Sequence, residues 1–123
     1  MNKSILIAGE GGQGVQTIAK VYIKAAHKSG KKVAHLPNFG VEQRGGVSLA
    51  FVQISDKEIV YPKFREADMA IVLAHRAIPR IAQHIGKDTL IMFDNSIIKE
   101  KELADYKTEK IAIPASHMAK EKL

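Results

Sequence analysis

The chain has 123 residues, of which 46% are hydrophobic and none is cysteine, and it carries a formal net charge of +6 at pH 7. That length makes one domain, able to bury about two thirds of its unfolded surface around a real core. Without cysteine there is neither a disulfide framework nor thiolate ligation of an iron–sulfur cluster, so any redox cluster would sit on another chain. The first apolar run, 5–8, stops at Gly9, too short for a signal-peptide core. No stretch approaches the ~20 apolar residues of a membrane-spanning helix, and a soluble cytoplasmic protein is expected. The positive charge is dispersed in small groups such as Lys28, Lys31 and Lys32, with acids between many of them and no aromatic interleaving. This pattern predicts a solvated surface rather than a nucleic-acid interface.

Residues 4–8 read as a short buried strand, because the apolar run does not alternate and ends in glycine. From Val15 the apolar positions Val15, Ile18, Ala19, Tyr22, Ile23 and Ala26 follow the spacing of a helix with one face on a core, leaving Gln16, Lys20, Lys24 and Lys28 toward water. Gly30 is a natural stop, and residues 32–36 start a second strand, completing a strand–loop–helix–strand unit of the parallel, right-handed kind. The next connection, "PNFGVEQRGG" at 37–46, has a proline, three glycines and no helical period. A parallel return needs roughly a dozen or more residues, usually helical, so the strand at 47–54 is expected to run antiparallel to its predecessor.

Ser55-Asp56-Lys57 reads as a turn into 58–61, followed by a short segment at 63–67 and a buried strand at 69–74. Ile78, Ile81, Ala82 and Ile85 outline a second amphipathic helix ending at Gly86, with Pro79 confined to its first turn. Residues 89–93 and 110–113 supply two more strands, and a final helix begins at Ala115. The expected fold is α/β, a Rossmann-like three-layer arrangement with a mixed, mainly parallel sheet between helical layers.

Ligands of open α/β sheets bind beyond the carboxyl ends of the strands, where the loops 9–14, 37–46, 74–76, 94–96 and 114–116 should meet. Gly9, Gly11 and Gly14 spell G-x-G-x-x-G; with Gly12 and Gln13 they offer backbone N–H groups at a helix N-terminus, suited to an anion such as a phosphate. The plainer reading is that small residues let the helix cross close over the strand. A dinucleotide site also wants an acid about twenty residues further on, at the tip of the second strand. That tip is Leu36-Pro37-Asn38, with no carboxylate until Glu42, and no Gly-Lys-Ser/Thr follows the glycines, so NAD and Walker-type readings both lose ground.

Arg44, flanked by Gly45 and Gly46 with Glu42 two residues before it, is suited to bidentate contact with a carboxylate or phosphate, or to docking a partner's backbone. Its alternative is an internal ion pair with Glu42 or Asp94. His27, His35, His75, His84 and His117 lack paired metal-ligand spacing, and no metal site is expected. There is no nucleophile elbow and no carboxylate pair, so no residue is assigned a catalytic role.

Taken together, "GEGGQGVQTIA", "PNFGVEQRGGVSLAFVQIS" and "READMAIVLA" closely resemble the gamma subunit, or gamma domain, of the pyruvate and 2-oxoacid:ferredoxin oxidoreductases, over residues 5 to about 119. The resemblance implies a complex that oxidatively decarboxylates a 2-oxoacid with coenzyme A and passes electrons to ferredoxin or flavodoxin. It implies that thiamine diphosphate is held by alpha and beta subunits and the iron–sulfur clusters by cysteine-rich modules. The gamma part is then a non-catalytic accessory that binds no cofactor alone and packs on those partners. Carried over by position, Gly9, Gly11, Gly12, Gln13 and Gly14 are its glycine loop, and Glu42, Arg44, Gly45 and Gly46 its second motif, in the loop that Asn38 opens. These loops are expected on the rim facing the alpha and beta subunits, with Arg44 near a carboxylate or the phosphates of coenzyme A.

Members of this family commonly continue for several tens of residues past "IPASHMAKEKL", so the single domain 1–123 reads as truncated, proteolysed or minimal. A sheet face left bare would favour association through an apolar patch, as in a homodimer. The competing readings are a stand-alone nucleotide or dinucleotide binder and a purely structural interaction module.

Overall fold

The computed structural model describes residues 2–10, 14–38, 46–59, 61 and 63–114. In chain order the regular elements are β1 (Asn2–Glu10), α1 (Val15–Lys28), β2 (Lys32–Asn38), β3 (Val47–Ser55), β4 (Met69–Val72), β5 (Leu90–Asp94) and β6 (Lys110–Ile113). The strands form one six-stranded sheet in the order β2-β3-β1-β4-β5-β6. β1, β4, β5 and β6 are parallel neighbours, while β3 runs antiparallel to both β1 and β2. The fold is thus α/β with a mixed, mainly parallel sheet, and β3 has the direction that its irregular approach predicts.

β1 is longer than its apolar run because all nine residues pair with β3, from Asn2↔Ser55 to Glu10↔Val47. Its ends are held in the sheet by the ladder, not by their own preference. β1 and β2 point the same way but do not touch, since β3 lies between them. At the amino end of the sheet, the Ser4 backbone N–H donates to Asp68 Oδ2 and the Asp68 N–H to the Ser4 carbonyl, both at 2.8 Å, clamping the starts of β1 and β4.

α1 covers the β1–β3 part of one face, where Val15 and Ala19 are buried against Ile5, Ile7, Ala50 and Val52. On the opposite face Leu6, Phe51, Val72, Ile91 and Phe93 lie beneath Ala77, Ile81, Ile98 and Leu103. The expected second amphipathic helix is not α-helical: it is replaced by the 3₁₀ turns His75–Ala77 and Pro79–His84, joined by a third, Glu100–Leu103, that the sequence reading omits. Pro79 stands at the start of its turn, where its missing N–H costs nothing, but its ring blocks a continuous α-helix from His75. With three residues per turn, Ile78, Ile81 and His84 share one side. Hence His84 is buried and Ala82 exposed, the reverse of what a 3.6-residue period predicts.

Other boundaries move by small amounts. β4 ends at Val72, although the Leu73 N–H still donates to the Ala8 carbonyl at 2.8 Å. β5 starts one residue late because the Thr89 hydroxyl donates to the Ala67 carbonyl at 2.6 Å and accepts from the Gly86 N–H at 2.9 Å. Residues 58, 59 and 61 form no regular element, and the final helix expected from Ala115 lies outside the described residues. Among the described residues no helix is long and apolar enough to cross a membrane.

Phe51 is fully buried and meets Phe64 and His84 edge-on, with ring centroids 5.3 and 5.2 Å away. Phe51→Ala is expected to destabilise the fold by about 3–5 kcal/mol, measured by urea unfolding.

Candidate functional site

The sheet order brings two connections together. The chain leaves β1 after Glu10, leaves β2 after Asn38, and returns into β3 at Val47. In the register Glu10 lies opposite Val47 and Asn38 opposite Leu49, so both motif loops spring from three adjacent strands, spaced by about 4.8 Å each. β4, β5 and β6 run parallel to β1 and end at the same edge. The predicted residues at the bases of the loops are therefore neighbours. Gly9 is buried in β1 opposite Ser48, Gly14 precedes α1, Asn38 closes β2, and Gly46 is buried just before β3. Gly11, Gly12, Gln13, Glu42, Arg44 and Gly45 lie outside the described residues.

Gly14 has φ +80°, a left-handed conformation that an L side chain adopts only with strain, and its carbonyl accepts the first helical bond from the Ile18 N–H at 2.9 Å. The first turn of α1 has no side-chain cap and no acidic residue, so its partial positive charge is directed, unneutralised by side chains of that turn, toward the loop edge.

Beneath that turn lies a polar cluster that the sequence reading missed. Gln16, expected to face water, is half-buried, and its Nε2 donates to the Ser48 hydroxyl and the Leu49 carbonyl, each at 3.1 Å. A carbonyl only accepts, so the atom facing Leu49 must be the amide nitrogen, and Oε1 is the atom 3.0 Å from His35 Nε2. His35 therefore carries its proton on Nε2. Burial, and secondarily the charge of Lys20, hold the His35 pKa below its ordinary value. A polar residue in the first turn after a glycine loop was the only available signal, and periodicity assigns that position to solvent.

A second pair at the same edge joins His75, just beyond β4, to Glu102: Nδ1 lies 2.5 Å from Oε1. Glu102 Oε2 also accepts from the Lys99 N–H at 2.7 Å. That backbone bond first, and His75 second, hold the Glu102 carboxyl below the usual range. Asp94 ends β5 almost fully buried, and its Oδ1 accepts from the Ser96 N–H at 3.0 Å. No group of three or more potential metal-ligating side chains comes together among the described residues.

A mixed α/β sheet in which the β1–α1 and β2–β3 connections are rooted side by side at one edge defines a Rossmann-like subunit or domain. The sequence profile of the pyruvate ferredoxin/flavodoxin oxidoreductase family matches residues 4–123, and the chain belongs to that family as a gamma-type component. It is 35% identical to the 2-oxoglutarate synthase subunit KorC of Methanothermobacter marburgensis, covering 100% of this chain and 69% of that protein. It is 36% identical to the pyruvate/ketoisovalerate oxidoreductases common subunit gamma of Thermococcus kodakarensis, over 79% of this chain and 54% of that one. The pyruvate oxidoreductase subunit PORC of Thermotoga maritima shares the fold, with a TM-score of 0.79 at 21% identity, over 96% of this chain and 65% of that chain. The chain thus spans roughly half to two thirds of the length of these relatives.

Because the folded His35 takes up a proton less readily than the unfolded chain, its contribution to stability is complete above pH ~6.5 and is lost as pH falls toward the folded-state pKa. The urea midpoint should fall from pH 7 to about 5, and less so in His35→Gln; the Glu102 contribution is lost only further into acid, below its ordinary value of 4.5. Gly14→Ala should cost about 1–2 kcal/mol through the left-handed φ, readable in the same assay.

Proposed function

We propose that the chain serves as the non-catalytic gamma component of a thiamine-diphosphate-dependent 2-oxoacid:ferredoxin oxidoreductase, which oxidatively decarboxylates a 2-oxoacid with coenzyme A and passes electrons to ferredoxin or flavodoxin. The observation that carries this reading is the family match across residues 4–123, joined to a fold in which Gly9, Gly14, Asn38 and Gly46, the described ends of the two motif segments, lie at one sheet edge. The donor set fits the division of labour: with no cysteine the chain offers no thiolate for an iron–sulfur cluster, so in this reading the clusters belong to cluster-bearing partners, and thiamine diphosphate, as the family resemblance implies, to the alpha and beta subunits. The end of β2, Leu36-Pro37-Asn38, offers no carboxylate for a ribose hydroxyl, which argues against a stand-alone dinucleotide binder.

In this reading Gly9, Gly11, Gly12, Gln13 and Gly14, with Asn38, Glu42, Arg44, Gly45 and Gly46, form the rim that meets the alpha and beta subunits. Arg44 is the charged contact, directed at a carboxylate or at the phosphates of coenzyme A. A solved 2-oxoglutarate:ferredoxin oxidoreductase from Magnetococcus marinus with 2-oxoglutarate, coenzyme A and succinyl-CoA bound contains a region of this fold, with a TM-score of 0.80 at 22% identity over 98% of this chain and 21% of that one. That fold-level likeness makes coenzyme A the first ligand to test.

The tagged chain, recovered from its native cells, should bring down larger subunits, and the eluate should reduce a viologen dye with coenzyme A and one of several 2-oxoacids. Recovery of the chain alone, inert with every acid, would reject the proposal. Arg44→Ala should leave the fold intact by circular dichroism while lowering turnover or assembly of the recovered complex.

A further inference from the structure

Gln16, Ser48 and His35 sit where the two motif loops are rooted. Gln16 is the second residue of α1, two positions after Gly14; Ser48 is two positions after Gly46; His35 is three positions before Asn38. Ser48 faces Gly9 across the β1–β3 ladder, in register with Ala50 and Val52 on the face that α1 covers. One amide thus bridges the helix that follows the first loop, the strand that follows the second, and the strand that precedes it. Both Nε2 hydrogens and the Oε1 acceptor are used, so rotating the amide or sliding α1 along the sheet breaks at least one bond.

Such a cluster is a poor device for stability. Replacing all its partners with apolar side chains of similar shape would be nearly neutral, since each hydrogen bond is exchanged against water and adds only about 0.5–1.5 kcal/mol. What a fully satisfied polar cluster does provide is a single geometry, where a greasy contact between helix and sheet tolerates sliding. The rest of the α1 contact, through Val15, Ala19, Ile18 and Tyr22, is of that greasy kind.

We infer that Gln16 is a positioning residue, oriented by the His35 Nε2–H, that fixes the bases of the two motif loops relative to one another so that both meet the partner subunits in register. This rests on the reading of the loops as the partner-facing rim. Gln16 itself touches no substrate; it acts through the placement of Gly14 and Gly46.

The test uses the recovered complex, dissociated and rebuilt with variants of this chain, measuring reassociation affinity together with kcat and the coenzyme A KM. Gln16→Leu and His35→Leu should each weaken reassociation by about tenfold, comparable to losing one hydrogen-bonded tie. His35→Gln, which keeps an N–H donor for Oε1, should remain within about twofold of wild type. Val52→Ala, a core truncation under α1 that leaves the amide's partners intact, separates positioning from stability: it should lower the melting temperature but not the affinity. If Val52→Ala weakens reassociation as much as Gln16→Leu, or if His35→Gln fails to rescue, the positioning role is overturned. If Arg44→Ala weakens the complex while Gln16→Leu does not, the inference fails and the functional reading stands. If neither substitution matters, the rim reading fails and takes this inference with it.

Discussion

Between Asn2↔Ser55 and Glu10↔Val47, β1 and β3 exchange backbone hydrogen bonds along their whole length, and this ladder sets β3 between two strands that a simple parallel unit would place side by side. The insertion has a geometric consequence. The long connection from β2 to β3 begins and ends within two strands of the first glycine loop, so two segments some thirty residues apart in sequence share one origin. It also gives α1 three strands to lie on, which is where its apolar face is buried.

Much of this architecture is legible in the sequence because it depends on local periodicity. The α1 spacing from Val15 to Ala26 matches its buried face, and the absence of a helical period in the sequence of 37–46 is sufficient to predict the reversal of β3. The failures have equally specific causes. At Pro79 a period of 3.6 and a period of 3.0 both fit Ile78 and Ile81, and only the third dimension decides that His84, not Ala82, turns inward. Amphipathic patterning places Gln16 toward solvent because it classifies a side chain by polarity, whereas its partners Ser48 and His35 lie thirty-two and nineteen residues away. Of the site, Gly14 and Gly46 stand just outside α1 and β3, Gly9 lies within β1 and not in the loop the sequence predicts, and Gln16 and Ser48, although inside the two quoted stretches, have no local pattern that pairs them.

Polar groups are buried here in two contrasting ways. At the loop edge, the Gln16 amide meets a partner at every donor and at its acceptor. Beneath the 3₁₀ turn Pro79–His84, the His84 Nδ1–H donates to the Arg65 carbonyl at 2.8 Å, but Nε2 is enclosed with no hydrogen-bond partner, among the rings of Phe51 and Phe64. An enclosed acceptor without a donor carries a desolvation cost, of about 1–3 kcal/mol, that the surrounding aromatic contacts must offset. Among the described residues the incomplete match is confined to the packing layer, while buried groups at both ends of the sheet, Thr89 included, find their partners.

The position of β2 at one margin of the sheet has a bearing on how such a chain associates. A free strand margin is a template onto which another chain can zip by main-chain pairing, the commonest route to unwanted fibrous growth. β2 answers it with Pro37, which has no N–H to offer and is tolerated in a sheet where that side faces solvent, and with the exposed cation of Lys32 at its start. Growth of the sheet by strand addition is therefore blunted at this margin.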